Sequence, residues 1–341
     1  MGMELENRTP GENSGKKPGT AAVDQRVLAG VIRPRLMFQV AAEMVAAGTW
    51  PYRATYLEFR SDRDETGAFR IYCNANPGTI QDVVERKLDI SMLNPEALVK
   101  MAYQGIGPFD RPHPLAVITV IPHYDQLGFA VAKKTGITSL DQIREQRYPL
   151  RVSTRGSLDL ATGMLVNEVL KVHGFSFGDI RSWGGHVYYD QPMPNARLDR
   201  ARSGELEAIF DEAVHQWVAP LDDMGWHFLP IDEDRLARLA TQGFKRGTIE
   251  KALYPTLPAD IPTVDFSGWP IFTHAEAPDL LITNFCAALE ARKHFIQWQM
   301  GDPEQPPLPL HRMCLDSPDT PLDIPLHPAA ERFWREKGYL R

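Results

Sequence analysis

From Arg26 onward the apolar residues of this chain fall into two alternating patterns. Short apolar runs rich in β-branched and aromatic residues predict strands over 26–32, 55–59, 69–73, 88–93, 115–121, 127–133, 149–154 and 206–210. Between them apolar residues recur at helical spacing. Leu36, Val40, Met44 and Ala47 share one face of a helix predicted over 35–48, which Gly48 stops. Further helices are predicted over 80–87 with Thr79 as cap, onward from the 88–93 strand through Tyr103, and over 139–146 with Ser139 as cap. The segment 158–173 reads as a long amphipathic helix closed by Gly174, and 195–203 as a polar one. Strand–helix alternation of this kind predicts parallel sheets with helices on both faces, arranged as two α/β lobes.

Both ends depart from the pattern. Residues 1–23 are polar, rich in glycine and proline, and hold no apolar run, so they predict a disordered leader. No basic start, apolar stretch and small-residue cleavage site occurs there, which taken at face value predicts a cytoplasmic protein. Residues 303–328 carry eight prolines and predict an extended surface strap, followed by a short helix with Pro328 in its first turn.

With 341 residues the chain has length enough for two lobes with a core each. Its net charge of −7 argues against nucleic-acid binding, which draws its affinity from a basic face. No stretch has the length and apolarity of a membrane span, which predicts a soluble chain. Cys73, Cys286 and Cys314 are too far apart for a zinc knuckle or a disulfide framework, and read as buried or half-buried thiols.

Phosphate-loop, dinucleotide, zinc-protease and nucleophile-elbow signatures are all missing, so neither a cofactor nor a metal is expected. Two strand-to-helix junctions carry the candidate chemistry instead: CNANPGT, from Cys73 to Thr79, and STRGSLD, from Ser153 to Asp159. Free helix-start amides and small hydroxyls suit a carboxylate, and Arg155 adds a two-pronged donor. Ordinary capping of the first turn explains the same residues equally well.

A third group, FDEAVHQW from Phe210 to Trp217, places Asp211 and Glu212 at a strand end, where open α/β sheets hold their sites. On a helix Glu212 or Asp211 shares a face with His215, and His123 or His186 would complete a metal site. The alternative is a solvated helix start, and the spacing favours it. The aromatic loop WGGHVYY (Trp183 to Tyr189) reads as cover for a cleft or for a core edge.

Four segments resemble the TAXI-type solute receptors of TRAP transporters. These are IPLHPAAERFWREKG at 324–338, the stretch 249–282 with its YPTLPADIPTVDF core, GITSLDQIREQRYPLRVSTRGS at 136–157, and LDISMLNPEALVKMAYQGIGPF at 88–109. The resemblance implies a periplasmic-binding-protein-like type II fold: two α/β lobes around a ligand cleft, joined by two crossing strands. Lobe I would comprise 24–126 plus 269–341 and lobe II 127–268, with 127–132 and 269–273 as crossings. It implies a periplasmic location and TRAP membrane subunits as partners. The chain departs from the family in its polar leader, in GVIRPRLMFQ at 30–39 where a glycine-rich ligand loop is usual, and in Asp211 and Glu212 where small residues are usual.

The expected function is therefore a solute-binding protein closing on a small polar ligand, an organic acid or amino acid. Asn76, Thr79, Tyr124, Ser153, Thr154, Arg155 and Ser157 are its candidate ligand-binding residues. The alternative is a cytoplasmic hydrolase or decarboxylase of a small acid on the same fold, using His123, Tyr124, His186, Asp211, Glu212 and His215.

Overall fold

The computed structural model describes residues 36–42, 55–60, 68–73, 76–156, 160–190, 196–296, 298 and 306–341. Residues 36–42 are helical, within the predicted helix over 35–48, and belong to a separate unit, 1–53. The leader, the predicted strand over 26–32 and Ser157 lie outside the described residues.

From Thr55 the chain builds two five-stranded sheets. The first contains β1 (Thr55–Arg60), β2 (Ala68–Cys73), β3 (Ile90–Met92) and β4 (Leu115–Ile121). The second contains β5 (Gly128–Ala132), β6 (Arg151–Arg155), β7 (His186–Asp190), β8 (Ala208–Asp211) and β9 (Trp226–Phe228). A two-stranded ribbon of β10 (Arg246–Ile249) and β11 (Ile261–Val264) follows, and β12 (Trp269–His274) returns to the first sheet. The spatial orders are β1-β2-β3-β12-β4 and β7-β6-β8-β5-β9.

Neither sheet is purely parallel, contrary to the sequence expectation. β2 and β3 run parallel, as do β6 with β7 and with β8, but β12 lies antiparallel to β3 and β4, and β5 antiparallel to β8 and β9. β1 and β2 are antiparallel as well; for β12 against β4 the cause is the double passage between the sheets. The chain leaves β4 through His123–Gln126 and comes back through Asp265–Gly268, so the two connections run in opposite directions side by side. Phe266 N–H donates to Asp125 O (2.9 Å), Gly268 N–H to His123 O (2.8 Å) and Leu127 N–H to Val264 O (3.1 Å). Strands that continue from such a pair inherit its antiparallel sense. An apolar run reports burial on both faces and carries no information about direction.

Most predicted helices form. Ser139 accepts from Gln142 N–H at the start of Leu140–Glu145, as a cap should. Thr79 does not cap: the helix Gly78–Val84 begins before it, and its Oγ1 donates back to Asn76 O (3.1 Å). The proline-rich end is more than a surface strap. Val117 N–H donates to Pro325 O (2.9 Å), His327 N–H to Val117 O (2.8 Å) and His123 N–H to Asp319 O (2.8 Å), so it covers the free edge of β4. Its own Leu308, Leu310, Met313 and Cys314 are buried, and the indole of Trp334, from helix Pro328–Glu336, donates to Ile118 O (2.9 Å).

Gly128 opens β5 opposite Asp211, and the ring of Trp217 lies over it: a Cβ there would meet Trp217 Cη2 at 2.6 Å. This close approach sets the end of β8 tightly against the start of β5. Among the described residues no helix is long and apolar enough to cross a membrane.

Candidate functional site

The ends of β6 and β8 point toward the crossing segments, and their last residues converge on one buried cluster. Arg155 Nε donates to Asp211 Oδ2 (3.2 Å), and its Nη1 lies 2.9 Å from Glu212 Oε1. The Asp211 side chain is fully buried and that of Glu212 is 6% exposed, so both charges need partners to be tolerated. They have them. Arg197, from helix Ala196–Ser203, sits 2.5 Å from Asp211 Oδ2, and Thr162 Oγ1 donates to Glu212 Oε1 (3.0 Å). From the other sheet, Asn94, in the loop after β3, donates its Nδ2 to Glu212 Oε2. Burial pushes the Glu212 carboxyl above the usual carboxylate range, and Arg155 pulls it back.

The backbone after β8 turns sharply to make this possible. Ala213 takes a left-handed conformation, φ 56°, which is uncommon for a residue with a Cβ. Its N–H then donates to Asp125 Oδ2 (2.8 Å) in the first crossing segment, and Trp217 Nε1 donates back to Glu212 O (2.9 Å). His123 Nε2 lies 3.4 Å from the same Asp125 oxygen. The solvated helix start expected for Asp211, Glu212 and His215 is thus overturned. The left-handed turn at Ala213 breaks the helical path, leaving His215 exposed in a 3-10 turn while both carboxylates go inward.

The remaining candidates divide. Ser153 is wholly buried inside the second sheet, accepting from Arg197 Nε (2.8 Å) and donating to Asp190 Oδ2 (2.7 Å). Thr154 is buried, and its Oγ1 has no partner. At the first junction Asn76 Oδ1 accepts from Gly78 N–H (2.8 Å) and Thr79 Oγ1 donates to Asn76 O, a local turn without the Thr79 cap that was expected. Tyr124 stands apart from Arg155, donating to Glu250 Oε1 (2.5 Å). His186 pairs with Arg151 at the opposite end of β6 from Arg155, about 13 Å away at the usual rise per residue. Among the described residues no three His, Cys, Asp or Glu side chains gather closely enough to hold a metal ion.

The buried polar atoms around Glu212 and Asp211 without a hydrogen-bond partner include Asn94 Oδ1, Arg155 Nη2 and Arg197 Nη1. The first accepts and the two guanidinium nitrogens donate. They come from both sheets, and Asn94 and Arg155 flank the same Glu212 carboxylate. Asn94, Asp125, Thr162 and Arg197 carried no sequence signal. The only hint was that polar residues at strand ends and first helical turns are the ones a folded α/β sheet collects.

Two mixed α/β sheets joined by two crossing segments make this a two-lobe, periplasmic-binding-protein-like fold of type II. The chain belongs to the NMT1-like family, whose model matches residues 74–338. Among solved structures it is similar to the alkanesulfonate-binding protein SsuA from Xanthomonas axonopodis pv. citri bound to MOPS. The identity is 14% over 65% of this chain and 61% of that one, with a TM-score of 0.33, so less than two thirds of SsuA is spanned. It is also similar to the periplasmic binding protein BugD, with 9% identity over 67% of this chain and 69% of that one and a TM-score of 0.34. An R. palustris protein solved with adipate matches with 14% identity over 58% of this chain and 61% of that one, at a TM-score of 0.30.

Proposed function

We propose that the protein is a solute-binding protein of the TAXI type, its lobes 24–126 plus 269–341 and 127–268 closing on a small polar ligand for delivery to TRAP membrane subunits. On this reading it works in the periplasm. The observation that carries the proposal is the pair of unpartnered buried atoms that flank Glu212, Asn94 Oδ1 and Arg155 Nη2. Buried polar atoms without partners are costly, and a ligand that supplies the missing bonds removes that cost.

Asp211 and Glu212 already neutralise the Arg155 guanidinium. A bare organic dianion would therefore meet no net positive charge. An amino acid fits better: its carboxylate takes Arg155 Nη2, and its ammonium takes Asn94 Oδ1. An acid–base catalyst in the same place is less well supported, because both Glu212 oxygens are held by donors.

Titration calorimetry against a panel of amino acids and dicarboxylates tests this. Binding of an amino acid, weakened at least tenfold by Asn94→Ala, is the expected result. Dicarboxylates binding more tightly than amino acids would reverse the ligand class, and no binding by any of the panel would remove the proposal.

A further inference from the structure

The charges of the buried cluster do not balance. Arg155 and Arg197 are its cations, and Asp211 and Glu212 answer them through ion pairs of 2.5–3.2 Å. Asp190 and Arg200 beside them close a pair of their own. Asp125 is the carboxylate left over. Its side chain is 3% exposed, and no lysine or arginine among the described residues pairs with it. Its oxygens accept from the N–H groups of Gln126 (2.9 Å) and Ala213 (2.8 Å), and one lies 3.4 Å from His123 Nε2.

Asp125 belongs to the same electrostatic unit. Ala213 follows Glu212 in the chain, so the Asp125–Ala213 bond brings this third carboxylate to within one residue of the second. Burial works against the Arg155 charge, and Asp211, Glu212 and Asp125 together outweigh it. Burial also raises the Glu212 carboxyl, Arg155 lowers it, and Asp125 and Asp211 raise it again. Glu212 nevertheless meets three donors, from Asn94, Thr162 and Arg155, and bonds of that kind favour the ionised form. Three carboxylates therefore stand against two guanidiniums, and an uncompensated buried charge is costly. The unpartnered atoms add the polarity a ligand must match. Arg155 Nη2 and Arg197 Nη1 call for an acceptor, and Asn94 Oδ1 for a donor. A carboxylate and an α-ammonium supply these, but a zwitterion brings no net charge and leaves the imbalance as it was.

We infer that the site takes a cationic amino acid, one whose side chain carries a second ammonium or a guanidinium, and that Asp125 is the residue that selects it. The inference rests on the amino-acid reading of this site and narrows it to a class. The side-chain cation supplies the missing positive charge, a neutral side chain does not, and an acidic one deepens the imbalance. Asp125 acts through the field of the cluster, because in a low-dielectric interior an unbalanced charge is felt beyond contact distance. Its own oxygens stay with Gln126 and Ala213.

The test is titration calorimetry of the full chain at pH 8, above the ordinary imidazole range, with ligand pairs of matched shape. Ornithine and norleucine differ only in a terminal ammonium against a terminal methyl, as do lysine and 2-aminoheptanoate. The cationic member of at least one pair should bind at least tenfold more tightly than its neutral partner. Asp125→Asn should shrink that ratio at least threefold while the neutral ligand still binds, a change that a poorly folded variant cannot produce. Glu212→Gln removes a charge of the same cluster and should act alike, which decides the matter if Asp125→Asn does not fold. Neutral members binding as tightly as cationic ones would overturn the inference and leave the amino-acid reading standing, whereas no binding by any of the four removes both. A ratio unchanged in the folded variant would overturn the selecting role of the negative charge.

Discussion

Asn94 Nδ2 donates to Glu212 Oε2, and this one bond ties the loop after β3 in the first sheet to the end of β8 in the second. Glu212 is otherwise anchored within its own sheet by Arg155 and Thr162. Removing the amide should leave that anchoring intact and loosen only the link between the sheets. Asn94→Ala is expected to lower unfolding stability by about 1.5–3 kcal/mol, the range for a hydrogen bond to a charged group. Urea denaturation reads it directly, and an unchanged midpoint would show the bond to be dispensable.

Arg155 holds two buried carboxylates, so its loss is predicted to cost more than its own contacts. Arg155→Ala leaves Asp211 with Arg197 alone and Glu212 with neutral donors only. Breaking a buried pair from one side typically costs about 3–5 kcal/mol. Adding Glu212→Ala should recover part of the loss, giving a strongly non-additive double-mutant cycle. Additive losses in thermal unfolding would mean the two charges are not coupled.

Gly128→Ala tests the packing that brings β8 against β5. The new Cβ would fall 2.6 Å from Trp217 Cη2 and 3.0 Å from Val214 Cγ2, so the indole must shift. Overpacking of this kind costs about 1–3 kcal/mol. Because Trp217 Nε1 donates to Glu212 O, the same change should also alter Trp217 fluorescence. A variant with native stability and an unaltered spectrum would argue against the contact.

Two acids near the crossing set the pH dependence of stability. Burial pushes Glu96 up to about 8, with Asp323 adding to the effect, and burial pushes Asp265 up to about 6. A carboxyl whose folded pKa is raised binds its proton more tightly in the folded state. Its stabilising contribution is complete below the unfolded pKa, near 4, and is lost as pH rises through the folded value. Stability should therefore fall between pH 4 and 6 through Asp265, and on to about pH 8 through Glu96. Glu96→Gln should flatten the upper part of that curve and stabilise the protein at pH 8 by on the order of 3–5 kcal/mol. Parallel curves for the two proteins across pH 5–8 would sink this assignment.

Much of the fold was legible along the chain. The apolar runs at 55–59, 69–73, 115–121 and 127–133 became β1, β2, β4 and β5 within a residue or two, and Ser139 and Pro328 mark helix starts as their chemistry requires. These are local decisions, made by burial period and backbone capping within a few residues. The direction of β5 and β12 was not local. It followed from the chain passing twice between the sheets, which no window of sequence contains.

The site divides in the same way. Arg155, Asp211 and Glu212 could be singled out because each stands at a strand end. That they neutralise one another, that Asn94 reaches across to Glu212, and that Ala213 turns the carboxylates inward away from His215 were decided only when strands 50 or more residues apart came side by side. Sequence determines which groups are available to ionise and where the backbone permits them. Tertiary structure decides which charges meet, because a buried carboxylate survives only where a distant cation or donor has been brought within hydrogen-bonding reach.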